Sequence, residues 1–302
     1  MVKDFAEIRE KLGAMTERPR LGVVAAEDEH TLQAVARAAG EGLVEPVLYG
    51  DRDAIAGIWS EVSSEALPTV VDEPDTASCV AAALSDVRAG RLDCIMKGKL
   101  ETAVLMKAVV NRETGIRESN ALSMLAAVES PYYHKVFIAT DIGLMMYPDL
   151  QQKRAIIENA VRLYGALDDA TPKVAVLAAL EHVNPKMPET VDAAELKAMN
   201  ERGEISGCVV EGPISYDLCM DAEAAAIKGY ESPVAGDPDI VVVPNITAGN
   251  ILIKSLTCTG GAKSCGTVCG AKVPIVICSR SSPAEDKYMS IVLAAVTGRN
   301  MR

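Results

Sequence analysis

Short β-branched runs alternate with longer amphipathic stretches along this chain. The runs at 21–26, 46–50, 69–72, 93–97, 135–141, 173–180, 207–211, 239–244 and 273–279 are near-continuous in Val, Ile, Ala and Cys. Strands buried on both faces of a sheet read this way, whereas half-solvated strands alternate. Between them, apolar residues recur at helical spacing over 31–41, 75–89, 102–111, 149–164, 190–202, 221–228, 248–257 and 283–296. In the first of these Leu32, Val35, Ala36 and Ala39 share a face. Asp75 is placed to cap its helix, and Thr190, followed by Asp192 and Glu195, to open another. The repeated β-then-α order predicts a parallel, doubly wound α/β sheet.

With 302 residues the chain has room for two ordinary domains or one large α/β unit. The polar patch 118–120 and the segment 129–134 are the hinge candidates. A switch at the second gives a discontinuous first domain, 1–134 with 273–302, and a second domain, 135–272. The strand at 273–279 then returns to the first domain.

Composition narrows the classes. Hydrophobic residues are 49% of the chain but aromatics only 4%, so the core must come from Ala, Val, Ile, Leu and Met. Lys plus Arg number 30 against 42 Asp plus Glu, a formal charge of −12. Nucleic acid and anionic membranes need an extended positive field, so neither is an expected partner. A small polyanion held by a local cluster remains open. The charged N-terminus, with Lys3, Asp4, Glu7, Arg9, Glu10 and Lys11, has no signal-peptide h-region, and the longest apolar runs are too short for a bilayer. A soluble, cytoplasmic protein is expected. Eight cysteines occur without any C-x-x-C pair. They read as small buried hydrophobes, and Cys258, Cys265 and Cys269 are not expected to hold a metal.

The familiar phosphate cradles of this fold class are absent: no G-x-G-x-x-G, no G-x-x-x-x-G-K-[ST] and no G-x-S-x-G. His30 and His182 read as a solvated surface residue and a loop residue. Four stretches do place polar or small residues after a strand, where open α/β sheets bind ligands. In Met96–Thr102, Gly98 lets backbone approach a ligand, Lys97 or Lys99 neutralises an anion, and Thr102 caps the next helix. A plain strand–turn–helix with solvated lysines has the same pattern. The second stretch, 244–250, carries Asn245, Thr247, Gly249 and Asn250 at a helix entrance, with Lys254 beyond. The third is 211–217, echoed at 232–237. In the fourth, Ser279 and Arg280 end an apolar strand ahead of Asp286. Base, orienting hydroxyl and bidentate anion clamp stand together there, although Asp286 alone also reads as a first-turn acid favoured by the helix dipole.

These residues resemble the phosphate acetyl/butyryltransferase family, closest to the butyryl type. The resemblance rests on 174–194, Gly212-Pro213, 227–237, 243–250 with Lys254, and 270–280. The first ~90 residues match in pattern more than in motif, as variable surface-rich regions do. It implies two three-layer α/β/α domains with a cleft, like isocitrate/isopropylmalate dehydrogenase, and a homodimer. It further implies reversible transfer of a butyryl or other short acyl group between CoA and inorganic phosphate by direct thiolate attack, with no metal or acyl-enzyme. No cofactor is tightly bound; coenzyme A, inorganic phosphate and acyl phosphate are substrates. By this resemblance Asp286 takes the CoA thiol proton, Arg280 binds the phosphoryl group and Ser279 stabilises the tetrahedral oxyanion. Lys97, Gly98, Thr102, Lys107, Asp141, Asn245, Gly249, Asn250 and Lys254 are the expected substrate-binding set. The chain departs from the family at three places: Lys107 for Arg, Ala121-Leu122-Ser123 for a Ser-His-Val stretch, and Ser282 for Asp. The alternatives are a phosphate acetyltransferase, a metal- and NAD-dependent decarboxylating dehydrogenase on the same fold, and a non-catalytic CoA-binding relative.

Overall fold

A computed structural model describes residues 2–278 and 282–301. The chain divides into two compact units. Unit I comprises Phe5–Glu118 and the residues from Cys265 onward; unit II comprises Ser119–Ser264 and the residues up to Asp4. The segment 119–134 therefore lies in unit II and 265–272 in unit I, each opposite to the placement expected from the sequence.

Unit I carries strands β1 (Arg20–Val24), β2 (Glu45–Gly50), β3 (Thr69–Asp72), β4 (Cys94–Lys97), β11 (Ile275–Val276) and, from Cys265 on, β10 (Lys263–Cys269). Their order is β3-β2-β1-β4-β11-β10. The first five are parallel, and β10 runs antiparallel to β11 through Val268 and Ile275. The helices are α1 (Phe5–Gly13), α2 (Glu29–Gly40), α3 (Arg52–Val62), α4 (Thr76–Arg88), α5 (Thr102–Val109) and α11 (Ala284–Asn300). Three begin at an aspartate whose carboxylate accepts a main-chain N–H three residues on: Asp28 from Thr31, Asp51 from Ala54 and Asp75 from Ser78. Helix α11 is buried continuously from Lys287 to Gly298, as an all-round apolar helix must be, and packs on α1, α2 and β4.

Unit II orders β5 (Ser123–Glu129), β6 (Phe137–Thr140), β9 (Ile240–Val242), β7 (Lys173–Leu177) and β8 (Val209–Ile214) in one sheet. All are parallel except β5, which runs antiparallel to β6. Helices α6 (Leu150–Leu167), α7 (Pro188–Glu201), α8 (Tyr216–Met220), α9 (Ala222–Ile227) and α10 (Ile246–Cys258) accompany it. Phe137, Val241, Leu218 and Val234 belong to its core. Helix α7 starts at Pro188, not at Thr190; proline at the first turn needs no hydrogen-bonded N–H. The buried Thr190 hydroxyl instead meets the carbonyls of Asn184 and Met187 and fastens the loop before the helix.

An all-parallel reading missed β5 and β10, the two strands that form the antiparallel pairs. The cysteine reading is simpler: Cys79, Cys94, Cys208, Cys219, Cys265 and Cys269 are buried, and Cys258 is exposed on α10. No helix among the described residues is long and apolar enough to cross a membrane.

Candidate active site

In unit I the carboxyl ends of β1 and β4 are joined main chain to main chain. Gly98 and Lys99 donate their N–H groups to the carbonyls of Val24 and Ala25 at 2.8 and 2.7 Å. Ala25 adopts φ 55°, a left-handed conformation rare for a residue with a Cβ. A Cβ on Gly98 would stand 2.0 Å from the Ala25 carbonyl oxygen. Gly98 is therefore required by its approach to β1, a different reason from the ligand approach expected of it.

Lys97, half-buried at the end of β4, donates its ammonium to the carbonyls of Gly98 and Leu100 at 3.1 and 3.0 Å. It braces the loop that leads into α5. Thr102 does not cap that helix. Glu101 is the N-cap and makes no side-chain capping bond, while Thr102 is the exposed first helical residue. The helix N-terminus is thereby left open, as an anion-binding terminus is. Lys107 is exposed in the last turn of α5, where a cation suits the dipole, about 8 Å along the axis from Thr102.

Ser279 and Arg280 lie outside the described residues. Asp286 stands in the first turn of α11 and is partly buried. Burial, and secondarily the neighbouring charge of Glu285, raises its carboxyl above the ordinary value. A carboxylate disfavoured as an anion is a stronger base than a solvated one. Cys278 lines a small pocket with Met96 and Lys97 of β4. Burial raises its thiol pKa, opposed by a Ser290 hydrogen bond and by the charges of Lys287 and Lys97, while Asp286 adds to it. These couplings bring Lys97, Asp286 and Lys287 into one electrostatic neighbourhood. Lys287 was not anticipated, because a lysine inside an apolar helix pattern reads as solvated. It is buried and lines a pocket with Asp28, Lys97, Gly98, Lys99 and Cys278.

Unit II gathers a second group. Asp141 is buried at the end of β6, and its carboxylate accepts the N–H groups of Gly143, Leu144 and Met145, each at 2.9 Å. Burial raises its pKa and these backbone bonds lower it, with burial prevailing. Its carboxylate thus shapes the 141–145 loop. Asn245 caps α10 by accepting from the Ala248 N–H at 3.1 Å, and Ile246 donates to the Met146 carbonyl at 3.2 Å. Gly249 allows α10 to approach that loop: a Cβ there would meet Ile142 Cα at 2.8 Å and the Asp141 carbonyl at 2.9 Å. Asp141, Asn245 and Gly249 therefore form one loop–helix junction, while Asn250 and Lys254 are exposed further along α10.

A family model described as phosphate acetyl/butaryl transferase matches residues 62–295. Phosphate acetyltransferase of Thermotoga maritima is 43% identical over 279 residues, 92% of this chain and 94% of that protein. Phosphate butyryltransferase of Clostridium acetobutylicum is 38% identical over 301 residues, 99% of this chain and all of the relative. A solved branched-chain phosphotransacylase from Enterococcus faecalis V583 superposes with a TM-score of 0.81 at 33% identity, over 93% of this chain and 99% of that one. A 4-hydroxythreonine-4-phosphate dehydrogenase from Klebsiella pneumoniae, 16% identical with a TM-score of 0.61 over 93% of this chain and 100% of that one, shares the fold alone.

Proposed function

Because this chain belongs to the phosphate acetyl/butaryl transferase family, we propose that it transfers a butyryl group reversibly between coenzyme A and inorganic phosphate. The observation carrying the acyl choice is the correspondence with phosphate butyryltransferase along 99% of this chain and 100% of that relative. Acetyl is the competing choice, favoured by the higher identity, 43%, of the acetyltransferase.

In the direction of acyl-CoA synthesis, the Asp286 carboxylate takes the proton of the CoA thiol. The thiolate sulfur attacks the acyl carbon of the acyl phosphate, and the carbonyl π electrons move onto oxygen. Ser279 donates to that oxyanion. Its collapse breaks the bond between the acyl carbon and the phosphate oxygen, and phosphate departs on Arg280. No electron acceptor and no covalent enzyme intermediate are needed; catalysis lies in positioning and charge stabilisation. The partly buried position of Asp286 and its raised pKa support the base role. We place the enzyme in the cytoplasm as a homodimer that binds no further cofactor.

The test is phosphate-dependent CoA release from acetyl-, butyryl-, isobutyryl- and valeryl-CoA. A kcat/KM highest for butyryl-CoA is expected. A preference for acetyl-CoA would overturn the acyl assignment, and no phosphate-dependent release from any of them would overturn the activity. One methylene in a pocket is worth about 1–3 kcal/mol, so the preference is expected at roughly tenfold or more. Sedimentation at a single-chain mass would overturn the dimer.

A further inference from the structure

The turn of α11 that carries Asp286 has no side-chain cap: Pro283 is its N-cap and makes no capping bond. It is held from α2 instead. Arg37, in the last turn of α2, donates from Nη1 to the Glu285 carboxylate at 2.5 Å and from Nε to the Glu41 carboxylate at 3.1 Å. Its guanidinium carbon lies 3.7 Å from the centre of the Tyr288 ring. The Tyr288 hydroxyl in turn donates to the Glu41 carboxylate at 2.5 Å. Arg37 and Glu41 thereby grip α11 at the residue before Asp286 and again two residues after it. A second tie runs to β10: the Ser290 hydroxyl donates to the Asp286 carbonyl at 2.7 Å and accepts the Gly266 N–H at 3.0 Å. All of these residues belong to unit I.

The energetics of the grip set it apart from ordinary packing. The Arg37 and Glu285 side chains are 43% and 58% exposed, so their ion pair contributes little to stability. Tyr288 is buried, and its hydroxyl keeps Glu41 as acceptor whether or not Arg37 is present. What Arg37 adds is direction. A planar guanidinium that stacks on one ring and bonds two carboxylates holds the turn in one orientation, as a flexible ammonium would not. A misplacement of about 1 Å at a reacting group can cost about a hundredfold in rate.

We propose that Arg37 is a positioning residue for acyl transfer: it fixes the first turn of α11 so that the Asp286 carboxylate stands where the thiol proton is taken. This deepens the acyl-transfer reading and rests on it for its kinetic arm.

The experiment uses the full chain as Arg37→Met, which keeps an unbranched stem over the Tyr288 ring, and as Arg37→Lys, which keeps the charge without the fork. Phosphate-dependent rates are measured with the better of butyryl-CoA and acetyl-CoA, at a temperature well below the Tm of every variant. Arg37→Met is expected to lower kcat at least tenfold and to leave the KM for phosphate and for the acyl-CoA within twofold. Arg37→Lys should recover part of kcat. In an Asp286→Asn background, Arg37→Met should change kcat less than twofold, because the carboxylate that it positions is already gone. Hydrogen exchange at the Lys287 amide, bonded to the Pro283 carbonyl, should quicken at least tenfold in Arg37→Met, with residues 292–296 unchanged. A kcat within twofold of the wild type overturns the proposal. So does a loss that appears in KM, or one of the same size in the Asp286→Asn background, which would make Arg37 a general structural residue. Unchanged exchange at Lys287 refutes the grip itself. If the wild type shows no phosphate-dependent release, the acyl-transfer reading fails by itself, and the exchange measurement still decides whether Arg37 holds the turn.

Discussion

Lys135 and Asp239 form a buried ion pair at 2.7 Å, with side-chain exposures of 0% and 4%, at the amino ends of β6 and β9. Asp239 also exchanges main-chain bonds with the first residue of β7: its carboxylate accepts the Lys173 N–H and its own N–H donates to the Lys173 carbonyl, both at 2.8 Å. Unit I repeats the device, Asp93 accepting the Arg20 N–H at 2.7 Å and donating to the Arg20 carbonyl at 2.9 Å. The two units thus align their strands alike at the amino edge, without a sequence repeat. Removing one partner of a buried pair leaves a bare charge, so Lys135→Met is expected to cost about 3–5 kcal/mol in urea unfolding. Adding Asp239→Asn, which removes the charge and keeps an acceptor for the Lys173 N–H, should recover part of that. A double variant no more stable than the single would refute the account.

Asp237 adds an acid-sensitive part to the same edge. Its carboxylate meets Lys135 at 2.8 Å, Lys173 at 2.6 Å and His134 at 2.8 Å. Burial is the largest single influence and acts upward, but the hydrogen bonds from Lys135, Lys173 and His134 and the charge of Lys135 together hold the carboxyl well below its usual range. A folded pKa below the unfolded value, about 3.9, adds stability that is present above that pH and lost as pH falls towards the folded pKa. The gap in urea midpoint between wild type and Asp237→Asn should be widest above pH 5 and narrow below pH 4, both on the order of the unfolded carboxylate range. A gap that does not narrow as pH falls below about 3.9 would contradict it.

Gly98→Ala tests the β1–β4 junction. Its Cβ would fall 2.0 Å from the Ala25 carbonyl oxygen and 3.0 Å from that of Val24, both main chain and unable to rotate away. A loss of about 3 kcal/mol or more is expected, at the upper end of overpacking costs. Gly57→Ala is the control, since α3 has open space at that position. It should stabilise by about 0.5–1 kcal/mol through helix propensity. Equal Tm changes of the same sign in the two variants would defeat the steric explanation.

Parallel strands buried on both faces were legible because their signal is local, a run of β-branched residues between turn signals. Strands β5 and β10 were not. Ala126 and Ala127 give β5 a helix-like composition, and Lys263, Ser264 and Gly266 interrupt β10, so pairing partners rather than propensity decide them. Asp75 on α4, and Asn245 at the entrance of α10 in the site, were readable as caps because capping spans three or four residues of chain. The requirement for Gly98 was not, since Ala25 lies over seventy residues away. Lys287 was hidden for the same reason: its burial is set by β4, α2 and the segment after β11, none adjacent to it in sequence.

Asp286 joins stability to catalysis, and the two should move in opposite directions. Burial and then Glu285 raise its carboxyl pKa, so the folded protein favours the protonated form. The stability associated with that form is fully present below the unfolded pKa of about 3.9 and is lost as pH rises through the folded value. Asp286→Asn removes the disfavoured charge and should raise Tm at neutral pH while leaving it unchanged in acid. The same change removes the proton acceptor, and phosphate-dependent turnover should fall by about 10²–10⁴. Glu285→Gln provides the finer test. Glu285 is paired with Arg37 at 2.5 Å and contributes the second part of the shift. Neutralising it should move the acid limb of kcat/KM to lower pH without abolishing activity. Near-normal turnover in Asp286→Asn would remove the carboxylate from the mechanism, and an acid limb unmoved in Glu285→Gln would mean that the limb belongs to another group.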